Sequence, residues 1–288
     1  MSRTFIVTDS TADIPADLVK QWGIHVVPLT VMFGDQAYLD GVEMSAGQFY
    51  ERLVQAAELP TTSQPSPAEF LKVYSEILEQ HPDAHIVSIH LSSGVSGTYQ
   101  SARLAVTMLE REEAVTTVDS KSASFGYGAL VVQAAKLASN EADKDAILRE
   151  LERMGEQRRL FFLVDTLQYL QKGGRIGKAA AMIGTLLNIK PILSIDQEGI
   201  IYSMEKARGQ RKAMLRIVEM LEADLQGQKI NVAVGHTANQ ASTDTLLQLL
   251  RERFAVEEVQ YSEIGAVIGT HVGPGTLAVY AWPAGDEV

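Results

Sequence analysis

The 288-residue chain contains no cysteine. Disulfides, thiolate metal sites and a cysteine nucleophile are thereby excluded. Long apolar runs are missing too, and none approaches the roughly 20 residues of a membrane helix. The opening MSRTFIVTDSTAD turns polar after a short apolar stretch, so it does not read as a signal peptide. Positive charge is in deficit. A net charge of −11 argues against a nucleic-acid-binding protein or DNA-binding regulator. These absences fit a cytoplasmic location, with no stable membrane insertion expected.

Familiar catalytic signatures are absent as well. The stretch HLSSGVSGTYQSA (His90–Ala102) has the glycines and hydroxyls of a phosphate loop, but no lysine where a nucleotide loop places one. It lacks the third glycine of the dinucleotide fingerprint and the G-x-S-x-G of a serine hydrolase. The six histidines show no metal-ligand spacing, and Pro82 between His81 and His85 argues against a shared helix. Neither a metal nor a cofactor is expected.

What is present is a globular composition, 46% hydrophobic and 21% charged, sufficient for a buried core. Short β-branched runs alternate with helical patterns. Thr4–Asp9, His85–Leu91 and Ala114–Ser120 read as strands, and Val95–Arg111 as a helix. Ser66, Pro67 and Glu69 spell a capped helix start. This alternation implies a parallel sheet with helices on both faces. A second half begins near Leu160, with an apolar helix over Gly177–Asn188 and a hairpin around Gly199. The spacing predicts two α/β domains, 1–158 and 159–288.

Several stretches are candidates for a site. Asp9-Ser10-Thr11, Asp119-Ser120 and Asp165-Thr166 end strands, where such residues either cap helices or line a ligand rim. LPTTSQPSP offers Thr62 or Ser63 to a cleft, or is simply a turn into the next helix. In the His90–Ala102 loop, hydroxyls and free N–H groups suit one small anion, a carboxylate better than a triphosphate; a tight turn without ligand is the alternative. Arg175, among Gly173, Gly174 and Gly177, can reach a phosphate or carboxylate. It belongs to a basic segment, Lys172 to Lys212, with eight lysines and arginines, including Lys172 and Arg208, against three acids. That excess either attracts an anionic ligand or partner, or is a solvated face. His271 sits in a glycine- and proline-rich stretch, GTHVGPG, read as a turn.

Taken in order, TDSTADI, TSQPSP, SSGVSGTYQSA, YLQKGGRIG, KPIL and GTHVGPG span nearly the whole chain. The set resembles the DegV family of bacterial fatty-acid-binding proteins. The resemblance implies a two-domain fold, a parallel-sheet α/β/α domain followed by a smaller α/β domain with a mixed sheet. A long-chain fatty acid such as palmitate would lie between them. It implies that Thr62 and Ser93 hydrogen-bond the carboxylate with His271 close by. It further implies a partner, a fatty acid kinase that phosphorylates the bound carboxylate to an acyl phosphate for phospholipid synthesis. Lys172, Arg175 and Arg208 would face that kinase or the phosphate. The chain itself would be a carrier and not an enzyme. A second reading is an enzyme or kinase-related subunit holding a small carbonyl compound such as dihydroxyacetone on His271.

Small residues in GKAAAMIG and in FGYGAL either leave room for an acyl tail or permit tight helix packing.

Overall fold

The computed structural model describes residues 3–184, 189–237 and 240–285. In the first half, β1 (Thr4–Asp9) leads to α1 (Ala16–Gln21) and β2 (His25–Val27). A hairpin follows, β3 (Thr30–Phe33) and β4 (Gln36–Leu39), then α2 (Ala46–Gln55) and the short β5 (Thr61–Ser63). Next come α3 (Pro67–Gln80), β6 (His85–His90), α4 (Thr98–Val106) and β7 (Val115–Asp119). Two helices, α5 (Phe125–Ser139) and α6 (Lys144–Gln157), close this half.

Strands β2, β1, β6 and β7 form, in that order, a wholly parallel sheet. Successive side chains point to opposite faces. Ile6, Val87 and Ile89 therefore pack towards α5 and α6, while Val7 and Ile86 pack towards α3 and α4. Ser66 and Glu69 form the capping box that starts α3, with Pro67 as its first residue. Pro28 separates β2 from β3. A small antiparallel sheet of β4, β3 and β5 joins the hairpin to the TTS segment, a pairing the sequence does not announce.

The second half runs β8 (Arg159–Leu163), α7 (Gln168–Lys172), β9 (Ile189–Ile195) and β10 (Ile201–Arg208). It continues with α8 (Gln210–Leu225), β11 (Ile230–His236), α9 (Gln240–Arg251) and β12 (Val256–Glu263). Helix α10 (Ala266–Val272) and β13 (Leu277–Pro283) complete it. The mixed sheet has the order β10-β9-β8-β13-β11-β12, and β9 and β10 form the expected hairpin. Phe161 and Leu163 pack on one face with Ile217 of α8 and Leu246 of α9. Phe162, Leu193 and Tyr280 turn to the other face, towards α5 and α10. Helix α5 is buried continuously from Phe125 to Val132, as a helix between two sheets must be.

Two helices are shorter than the periodicity implies. Helix α4 begins at Thr98, not Val95, because the Ser96 hydroxyl accepts the Thr98 N–H and holds a turn. It stops before Thr107, whose hydroxyl bonds back to the Leu104 carbonyl. The expected helix over Gly177–Asn188 is a 3-10 segment over Gly177–Met182. Gly177 and Gly184 have φ of 52° and 81°, which an α-helix does not accommodate. Residues 185–188 of that helix lie outside the described residues. Among the described residues no helix is long and apolar enough to cross a membrane.

Candidate functional site

A cavity of about 270 Å³ lies between the two halves. Leu91 and Val95 from the first half face Phe162, Ile201, Val267 and Ile268 from the second. Polar side chains are interspersed in this wall. Thr62, Gln64, Ser96, Arg175 and His271 also line the cavity, and direct contacts gather most of them at one end.

Thr62 is the middle residue of β5, opposite Val31 of β3. Alternation along this edge strand exposes Thr61 and Ser63 and turns Thr62 inward, and the exposed Ser63 still borders the cavity. Its Oγ1 lies 2.9 Å from His271 Nε2. His271 is in the last turn of α10 and not in a loop, a correction to the expected turn. The glycine signal belongs to the stop: Gly273, at φ 74°, ends the helix. Burial, and secondly the nearby Arg175, push the His271 imidazole down to about 4, so it is uncharged at neutral pH. Its Nδ1 is buried without a partner, facing Gly173. A Cβ at Gly173 would stand 2.3 Å from that nitrogen.

Arg175 is the cation at this end. Its Nη1 donates to the Gly173 carbonyl at 2.7 Å and its Nε to the Val95 carbonyl at 3.2 Å. The left-handed Gly174, at φ 71°, turns the chain so that the side chain crosses back over the cavity. Gln64 joins β5 to the His90–Ala102 loop, bonding Ser101 Oγ at 3.1 Å. Gly97 permits this, since a Cβ there would fall 2.3 Å from the Gln64 amide oxygen.

Within that loop the structure separates the serines. Ser96 lines the cavity. Ser92 donates to the Gly199 carbonyl at 2.9 Å, fastening the loop to the β9–β10 turn. Ser93 does not line the cavity: its hydroxyl donates to Asp119 at 2.5 Å and its N–H to the same carboxylate at 3.1 Å. Lys121 pairs with Asp119 at 2.6 Å. Burial raises the Asp119 carboxyl, but hydrogen bonds from Lys121 and Ser93 outweigh it and hold it below the usual range. Beyond Asp119 a wider groove of about 870 Å³ opens, walled by charged residues such as Lys121, Glu152 and Glu156.

The basic segment is partly neutralised. Lys178 pairs with Asp196 at 2.5 Å and Lys190 with Asp165 at 2.8 Å. Lys172 and Arg208 are exposed, at the ends of α7 and β10. Of the basic residues named as candidates, Arg175 alone lines the cavity.

Asp9 caps the short turn Ser10–Ala12, as its position implies, and also roots a network that sequence reasoning missed. Its carboxylate takes His90 Nδ1 at 2.9 Å, Tyr127 Oη at 2.7 Å and the Leu91 N–H at 3.2 Å. His90 continues to Ser88 and Ser88 to Tyr74, each at 2.7 Å. Burial would raise Asp9, but the bonds from His90, Thr11 and Tyr127 prevail and its carboxyl stays low. The signal available was a histidine closing a buried strand beside an aspartate closing its neighbour.

Known proteins resemble this chain over nearly its whole length. A family model described as an uncharacterised protein of the DegV family matches residues 3–284. Protein DegV of Bacillus subtilis is 40% identical over 276 residues, covering 95% of this chain and 97% of that one. A fatty-acid-binding DegV family protein from Thermus thermophilus superposes with a TM-score of 0.92 at 40% identity, over 98% of this chain and all of that one. The crystal structure of DegV from Bacillus subtilis, described as a fatty acid binding protein, gives 0.87 at 37% identity, over 99% and 100%. The chain belongs to the DegV family.

Proposed function

We propose that this protein, like relatives described as fatty acid binding proteins, binds a long-chain fatty acid, and does so in the cavity between residues 1–158 and 159–288. The observation that carries this reading is an apolar cavity with the Thr62–His271 pair and Arg175 at one end. An acyl chain gains about 0.8 kcal/mol for each methylene removed from water. A buried carboxylate needs hydrogen bonds, or it keeps its proton. Thr62 supplies one, His271 orients that threonine, and Arg175 supplies the charge. Ser93 joins this set only by turning its hydroxyl away from Asp119.

Arg175 lines the cavity, and Lys172 and Arg208 are exposed at the ends of α7 and β10. On this reading the protein presents its carboxylate to a fatty acid kinase, which makes the acyl phosphate used in phospholipid synthesis. The chain is then a carrier, and the chemistry belongs to its partner. The apolar wall gives little purchase to a small polar carbonyl compound on His271.

Mass spectrometry of the lipid released on denaturing the purified protein tests the binding. A C16 or C18 fatty acid is expected at near one per chain. No recovered fatty acid, with no uptake of added palmitate, sinks the reading. Acyl phosphate formation with a fatty acid kinase and ATP tests the presentation separately.

A further inference from the structure

Helix α10 supplies Val267, Ile268, His271 and Val272 to the cavity wall. Its far end is gripped by two carboxylates of the other half, Asp40 buried and Asp13 half-buried. Asp13 accepts the Gly265 N–H at 3.0 Å and the Ser124 hydroxyl at 2.5 Å. Asp40 accepts the Ala266 N–H at 3.2 Å and the Ser10 hydroxyl at 2.8 Å. A Cβ at Gly265 would lie 2.6 Å from Asp13 Oδ1, so only glycine lets the carboxylate this close. Ser262 donates to the Asp13 carbonyl at 2.8 Å, and Tyr50 to the Ile264 carbonyl at 2.9 Å. Asp13 itself is held at φ 48°. One neutral acceptor suffices to cap a helix. Two carboxylates withdrawn from water and reached by hydroxyls and N–H groups are more than capping requires.

We infer that Asp13 and Asp40 are positioning residues for His271: their grip on the start of α10 sets the cavity wall and the head-group histidine, and their protonation tightens it. The inference rests on the fatty-acid reading above.

The sign follows from burial. It raises Asp13 well above the ordinary carboxylate range and Asp40 to about 6, outweighing the α10 N–H bonds, which lower both. With α10 lifted, both groups meet water and return towards about 3.9. The seated helix therefore binds protons more tightly than the lifted one. Falling pH from 6 towards 4 favours seating, and rising pH eases lifting. The titratable groups facing the pair are Asp9, Tyr50 of α2, Tyr127 of α5, Tyr280 of β13 and Glu263. Asp9 pushes both carboxyls in the same direction as burial. His271, on α10 itself, titrates with the opposite sign, so variant and wild type must be compared at each pH.

The test is release of cis-parinaric acid into acceptor vesicles, with hydrogen exchange of residues 264–273 corrected for intrinsic rate, at pH 5 and 7. Asp40→Asn imitates the protonated carboxyl. Relative to wild type it should slow both processes about a hundredfold at pH 7 and about tenfold at pH 5. Ser10→Ala, which removes a bond to the ionised form, should move the wild-type response to higher pH. A ratio of variant to wild type that is the same at both pH values marks a merely structural role and overturns the inference. Wild-type protein that takes up no cis-parinaric acid overturns the fatty-acid reading instead. The exchange arm then decides the grip by itself.

Discussion

Thr62 and His271 meet at 2.9 Å although 209 positions separate them. Each half of the chain contributes one member. With the imidazole neutral, an Nε2–H donated to Thr62 leaves the threonine proton free for a ligand oxygen. Thr62→Val and His271→Ala are each expected to weaken fatty-acid binding at least tenfold, since a hydrogen bond to a charged group is worth about 1.5–3 kcal/mol. Fluorescence titration with cis-parinaric acid reads this directly, and unchanged affinity in both variants removes the pair from the head-group site.

Gly173→Ala should reproduce the His271 defect without touching the histidine. The added methyl meets Nδ1 at 2.3 Å, and overpacking of this kind costs about 1–3 kcal/mol. The imidazole must shift, carrying Nε2 away from Thr62. Fatty-acid affinity in a variant with a normal circular dichroism spectrum is the measurement; wild-type affinity counts against the steric account.

His271 also makes a pH prediction. Its folded value of about 4 lies below the ordinary 6.5, so the unfolded chain binds the proton more readily. The associated stability is complete above pH 6.5 and is lost as pH falls through 4, by about 3 kcal/mol in total. Asp40 acts in the opposite direction over an overlapping range. Urea unfolding of wild type and His271→Asn at pH 4.5 and 7 should show a smaller acid loss in the variant. Parallel losses would place the histidine in a more solvated setting.

The Asp9–His90 pair should matter to folding more than to binding. Removing one partner leaves a buried group uncompensated, a loss of about 3–5 kcal/mol. His90→Ala is expected to lower the urea midpoint strongly, and Tyr74→Phe, at the far end of the chain of bonds, by about 1 kcal/mol. Equal effects of the two substitutions would contradict the order of the network.

Ser93→Ala is expected to weaken fatty-acid binding less than Thr62→Val does. The Ser93 proton is already given to Asp119 at 2.5 Å, so a ligand gains that bond only by breaking another. Side-by-side titrations decide, and a larger effect for Ser93 would mean that it turns readily towards the cavity.

The legible parts of this molecule were local ones. Ser66, Pro67 and Glu69 mark the start of α3 because a capping box is complete within four residues. TTS between prolines flagged Thr62 or Ser63, since a proline-bounded stretch cannot be a central strand. His271 was visible as a candidate but misplaced. Gly269 lowers the helical preference of α10, and it is tolerated because a Cβ there would fall 2.4 Å from the Tyr50 hydroxyl. Asp13 and Asp40 were illegible for a related reason. Their partners Gly265 and Ala266 lie 252 and 226 positions away, and no local pattern encodes such a meeting.

The seat of α10 has a consequence for synthesis. Ala266 and Val267 fill a cluster with Leu29, Val31, Phe49 and Leu53 of the first half, and the Tyr50–Ile264 bond there spans 214 positions. A ribosome making this chain has therefore long since released the trough when its filling arrives. Until then the nascent protein carries an open apolar furrow, the kind of surface that chaperones bind and aggregation exploits.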